Sequence, residues 1–151
     1  MTKVKIKVKV GDVFVVPLRS DGYGIGIVAR KYRSVLLGYF WKKKFLEVPK
    51  DFDLSTLKKE EAFWIKQFGI RGLEKGDWKV IGSIPNFKPD DWEVPKFVRE
   101  VEPFGKHVIT YDDKLKLVNQ VKVPDDFNEP YPKDGVAGYG FVELKLTDFL
   151  G

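Results

Sequence analysis

Four short runs of β-forming residues joined by tight turns fill the first 41 residues of this chain, and they restrict it to a small, largely antiparallel sheet. Val4, Ile6, Val8 and Val10 alternate with Lys3, Lys5, Lys7 and Lys9, the period of a half-buried strand whose lysine face discourages pairing with other chains. Gly11-Asp12 predicts a turn, and Val13-Phe14-Val15-Val16-Pro17-Leu18 a second strand in which Pro17 favours a sheet edge or a strand end. After Ser20-Asp21-Gly22, a third strand places Tyr23, Ile25, Ile27 and Ala29 on one face and Gly24 and Gly26 on the other. Val35 to Trp41 forms the fourth. Glycine inside a strand marks a bulge, strong curvature or a closely passing backbone, so the expectation is a strongly curved sheet or partial barrel rather than a βαβ unit.

Beyond this start, Asp53 to Glu61 has an N-cap in Asp53 or Ser55 and no Gly or Pro, which predicts a short helix. Ala62 to Phe68 and Trp78 to Gly82 predict strands flanking a loop with one helical turn, and Pro85, Pro89 and Pro95 make residues 83–96 irregular. Phe97 to Val101, His107 to Tyr111, Leu115 to Val123 and Tyr139 to Leu146 are further strand candidates. Asp112-Asp113 is a hairpin turn between two of them, and the acidic segment Pro124 to Gly138 is a long, wet connection. The fold class expected is therefore α+β, mainly antiparallel β, in one domain over residues 1–151 with one or two short helices.

A chain of 151 residues buries about 70% of the surface its unfolded form exposes, enough to fold without staples. It has no Cys, which removes disulfides, thiol catalysis, Cys-ligated zinc and iron–sulfur clusters together. The single His107 cannot build a multi-histidine metal centre, and no serine stands in a G-x-S-x-G sequence. Gly22-Tyr23-Gly24-Ile25-Gly26 has neither the spacing nor the following helix of a nucleotide loop, which leaves its glycines a structural role. No catalytic residue, metal or cofactor is expected. No secretory signal pattern and no run of about 18 apolar residues is present, so a soluble, cytoplasmic protein is expected.

Charge is segregated along the chain. Residues 1–50 hold 12 Lys and Arg against 3 Asp and Glu, a net of +9, while the remaining residues hold 15 against 19, a net of −4. Two contact faces follow. Arg30, Lys31, Arg33, Lys42, Lys43 and Lys44 stand near Tyr32, Tyr39, Phe40 and Trp41, cations for phosphate beside rings for stacking, the pattern of a small nucleic-acid-binding barrel. Asp112, Asp113, Asp125, Asp126, Glu129 and Asp134, with Tyr131 as an aromatic anchor, instead suit a basic protein partner. Trp78 is expected in the core and Trp92, between Asp91 and Glu93, at a surface where tryptophan anchors contacts.

Gly11-Asp12-Val13-Phe14-Val15-Val16-Pro17-Leu18 with Gly22-Tyr23-Gly24-Ile25-Gly26-Ile27-Val28, and later Gly76-Asp77-Trp78-Lys79-Val80-Ile81-Gly82-Ser83-Ile84-Pro85 with Pro95-Lys96-Phe97, resemble the immunity protein 26 family of bacterial polymorphic-toxin systems. The resemblance spans about residues 11–97. It implies a cytoplasmic, non-enzymatic protein that binds a cognate toxin and covers its active site or substrate surface. It carries over no toxin-contact residue, so either charged face remains open as the site of contact.

Overall fold

A computed structural model describes residues 7–151. Its first sheet has six strands: β1 (Asp12–Pro17), β2 (Tyr23–Tyr32), β3 (Val35–Phe45), β4 (Trp64–Gly69), β5 (Lys79–Ser83) and, further on, β9 (Val136–Ala137). Their spatial order is β5-β1-β2-β3-β4-β9, antiparallel throughout except for the parallel β4–β9 pair. A second, antiparallel sheet holds β6 (Phe97–Val101), β7 (Gly105–Tyr111) and β8 (Leu117–Lys122) in that order. The described residues also form the α-helices α1 (Arg71–Glu74) and α2 (Tyr139–Leu150).

The expected mainly antiparallel β architecture with two helices stands, but the curved sheet or partial barrel does not. The first sheet is open, with β5 and β9 as edges, and neither sheet is strongly curved. The strand glycines serve packing instead. A Cβ at Gly26 would lie 2.8 Å from the Phe40 ring and 2.9 Å from the Phe14 ring, and one at Gly38 would lie 2.6 Å from the Phe68 ring. Adjacent strands thus drop their side chains where three aromatic rings need the space.

Strand alternation divides the interior into two cores, one on each face of the first sheet. Phe14, Val16, Val28, Leu36, Phe40 and Phe68 face one side, where Trp78, Val142 and Leu146 cover them. Trp78 stacks on Phe14 with centroids 5.7 Å apart, as a core tryptophan should. Val13, Val15, Ile25, Ile27, Leu37, Tyr39 and Trp41 face the other side, against Trp92, Phe97 and Ile109. The expected split of β2, with Ile25, Ile27 and Ala29 opposite Gly24 and Gly26, is the observed one.

Three local expectations are corrected. Lys3, Val4, Lys5 and Ile6 lie outside the described residues; Lys7 to Lys9 belong to no strand, because Asp12 accepts from the Lys9 backbone N–H at 3.0 Å and closes a tight turn there. The helix at Asp53 to Glu61 is two 3₁₀ turns, Leu54–Thr56 and Lys59–Glu61, interrupted where Leu57 is buried and the Lys58 carbonyl accepts from Trp41 Nε1 at 2.8 Å. Asp53 does cap, accepting from the Ser55 N–H at 3.0 Å, and the Ser55 hydrogen bonds hold its carboxyl below the usual carboxylate range. Residues 139–146 form the start of α2, not a strand: Tyr139, Val142, Leu146 and Leu150 pack inward at helical spacing. Among the described residues, no helix is long and apolar enough to cross a membrane.

If the glycine contacts are required, Gly26→Val forces Phe14 and Phe40 apart and lowers stability by about 1–3 kcal/mol. Urea unfolding followed by tryptophan fluorescence measures this; an unchanged midpoint contradicts it.

Candidate partner-binding site

The basic set is not one face. Arg30 is 6% exposed, donating from Nη1 to the carbonyls of Ala29 at 2.8 Å and Trp92 at 2.9 Å and pairing through Nη2 with Asp113 at 3.3 Å. It ties the irregular segment to β2 and offers no free cation. Lys31 and Arg33 sit at the β2–β3 turn, whereas Lys42, Lys43 and Lys44 sit at the far end of β3, about 25 Å away at the rise of an extended strand. Lys31 Nζ donates to the Val8 carbonyl at 2.9 Å, and Lys44 pairs with Asp21 at 2.9 Å. Tyr39, Phe40 and Trp41 are core side chains with 3%, 0% and 2% exposure, so none is a stacking platform for bases.

The acidic set is also divided. Asp112 and Asp113 occupy the β7–β8 turn, where Asp112 Oδ1 accepts from the backbone N–H of Lys114 at 2.9 Å and Lys116 at 3.0 Å. Those hydrogen bonds hold the Asp112 carboxyl below the usual range and confirm the expected turn chemistry. Asp125 belongs to the opposite end of the second sheet, since its Oδ1 is 3.5 Å from the Cβ position of Gly105. The two ends stand about 20 Å apart along β7. Asp112, Asp113, Asp125, Asp126 and Glu129 are exposed, and Tyr131 is half-buried with its ring 6.0 Å from Phe127.

Two expected contact residues are interior. Trp92 is 8% exposed, its ring 5.2 Å from Tyr39, 5.9 Å from Trp41 and 5.7 Å from Phe87, because the proline-rich excursion folds back onto the first sheet. The Asp134 side chain is fully shielded, paired with Arg99 and accepting from the Tyr111 hydroxyl at 2.5 Å. Burial, then this carboxylate, pushes the Tyr111 phenol up to about 12; burial does the same to Tyr39, also to about 12. His107 lies half-buried on β7 with Nδ1 unpartnered.

Two apolar surfaces escaped the sequence reading. Every residue of β8 is exposed, including Leu117, Val118 and Val121 at 59%, 63% and 48%. On α2, Phe141, Leu144 and Phe149 are 51%, 50% and 47% exposed although the opposite helix face is buried. The foot of α2 borders a hollow of about 310 Å³ lined by Lys66, Val136 and Phe141. Lys66 is 8% exposed, and Nζ reaches only the carbonyls of Lys133 at 3.3 Å and Asp134 at 3.5 Å. Burial moves its pKa below the usual ammonium range, opposed by Asp134 and reinforced by Lys133 and Lys145.

Comparison with known proteins finds the model of one family, immunity protein 26, matching residues 9–102, more than half of the chain. The matched segment contains β1 to β6; β7, β8 and α2 follow it. No curated protein and no solved structure matches.

The geometry separates structural from available carboxylates. Asp134→Ala strips partners from Arg99 and Tyr111 and costs about 1–3 kcal/mol, while Asp125→Ala stays within about 0.5 kcal/mol, as urea midpoints will register. The raised phenols add stability that is complete below pH 10, the ordinary value for tyrosine, and is lost as pH rises towards 12. Tyr111→Phe should therefore reduce the fall in unfolding free energy over that interval; an identical fall in both proteins refutes the coupling.

Proposed function

Because the chain belongs to the immunity protein 26 family, we propose that it neutralises a cognate bacterial toxin by direct protein–protein contact, without catalysis, covering the toxin's active site or substrate surface in the cytoplasm. The family match carries this reading. Inhibition of this kind needs no chemistry from the inhibitor, only a rigid surface of about 800 Å² per partner. A sheet buried on both faces supplies rigidity, and its covering layers supply surface.

For the contact itself, the exposed carboxylates Asp112, Asp113, Asp125, Asp126 and Glu129 form charged ends to the second sheet, with Leu117, Val118 and Val121 between them. Such an arrangement suits an apolar centre with a polar rim. The carboxylates would meet cations on the toxin and raise the association rate, and Tyr131 would add an aromatic edge. The nucleic-acid alternative is weaker, since Arg30, Tyr39, Phe40 and Trp41 are committed to the interior.

Co-expression with the toxin domain encoded in the neighbouring reading frame tests the function: growth is restored and the two proteins co-purify at physiological salt. Toxicity without rescue or complex rejects it. The triple change Asp125→Lys, Asp126→Lys, Glu129→Lys should slow association roughly tenfold at low salt with little effect on dissociation, measured by surface plasmon resonance. An unchanged association rate removes these carboxylates from the contact.

A further inference from the structure

The outer face of α2 is unusual for a helix at the surface of a small protein. Phe141, Leu144, Lys145, Asp148 and Phe149 stand at positions i, i+3, i+4, i+7 and i+8, so they form a single stripe along the solvent side. Its three apolar members are each about half exposed, while Val142 and Leu146 on the inner face are wholly buried. A helix with apolar side chains on both faces gains from a partner on the second.

The surroundings of the stripe are cationic. Lys145 Nζ lies 5.4 Å from the Phe149 ring centroid, Phe149 packs edge-on to Phe63 at 4.9 Å, and Lys42 Nζ lies 5.8 Å from the Phe63 centroid. At the foot of the helix, beside Phe141 and the 56%-exposed Val136, the Lys66 ammonium has only two long carbonyl contacts. Asp134 acts on Lys66 by charge alone, since its carboxylate takes its hydrogen bonds from Arg99 and Tyr111. Asp148 is the carboxylate on the stripe itself. The patch therefore combines apolar anchors with ammonium groups short of counter-charge.

We propose that this face docks an acidic, apolar-flanked segment of the cognate toxin, placing a carboxylate beside Lys66 and Lys145 and apolar side chains against Phe141, Leu144 and Phe149. The assignment of the toxin as occupant rests on the function proposed above. A second copy of the chain fits poorly: it would bring Lys42, Lys66, Lys133 and Lys145 against their equivalents. The 12-residue helix also presents only about 200 Å² from its length and width, well below the area of a stable dimer. A toxin can reach further. Lys133 and Asp134, whose carbonyls face Lys66, also line the hollow on the second sheet with Phe127, which places the acidic Asp125–Glu129 segment next door.

The experiment uses the full chain and the toxin domain from the neighbouring reading frame. Leu144→Asp and Lys145→Glu, each checked for an unchanged near-ultraviolet circular dichroism spectrum, are expected to weaken the complex at least tenfold, chiefly through faster dissociation. Carbodiimide coupling of the wild-type complex is expected to link Lys145 or Lys66 to a toxin carboxylate. Wild-type complex formation with both variants binding normally overturns the docking face and leaves the immunity function standing. Absence of any wild-type complex overturns both. A wild-type dimer in sedimentation velocity that Leu144→Asp dissolves assigns the face to a second copy and also overturns the proposal.

Discussion

A sheet apolar on both faces must be covered on both, and that requirement organises the whole molecule. Strands β1 and β2 and the first seven residues of β3 bury nearly every side chain, alternating between the core beneath Trp78 and α2 and the core beneath Trp92, Phe97 and Ile109. Burying one such aliphatic or aromatic side chain stabilises by about 1.5–3 kcal/mol, so neither cover can be removed without exposing several. Gly26 and Gly38 belong to the same constraint, because the Phe14, Phe40 and Phe68 rings fill the space that their side chains would take. The second sheet and α2 are first of all lids on this sheet.

Under the proposed function, partner contact falls to the outside of the lids. The inner faces are fixed by packing, but the outer faces are free to carry whatever a partner requires, and both carry exposed apolar groups next to charge. On the second sheet the exposed strand β8, with Leu117, Val118 and Val121, lies between ends that carry carboxylates beside lysines; on α2 the apolar stripe lies among lysines. The two surfaces meet across the segment around Lys133 and Asp134, which reaches Lys66 on one side and the second sheet on the other. The segregated charge of the sequence becomes a spatial arrangement, though not the one its linear order suggests: Lys66, Lys133 and Lys145 come from the acidic remainder of the chain.

The parts legible in the sequence were those with a clean period. β2 alternates so regularly that the faces of Ile25, Ile27, Gly24 and Gly26 followed at once, and Asp112-Asp113 declared a turn through its side-chain chemistry. α2 was obscured because Phe141, Leu144 and Phe149 fill the face that a surface helix normally leaves polar, and Leu144-Lys145-Leu146 imitates strand alternation. Trp92 and Asp134 were misplaced for another reason: both sit in irregular segments beside exposed charges, and only tertiary folding decides that one ring meets Tyr39 and one carboxylate meets Arg99 and Tyr111. Arg30 belongs to a cationic run along the chain, but in the fold its guanidinium fastens the Trp92 carbonyl. Neighbouring charges on a chain share a face only where the strand keeps them there, and Arg33 and Lys42 stand at opposite ends of one.

Hydrogen–deuterium exchange of the chain alone and in complex with its toxin domain tests most directly the claim that the central sheet is scaffold and its covers are the binding surface. The account predicts slower exchange on binding in β8, the 125–138 segment and α2, with β1 and β2 unchanged. Protection confined to the β2–β3 turn or the β5 edge, with β8 and α2 unaffected, would contradict it.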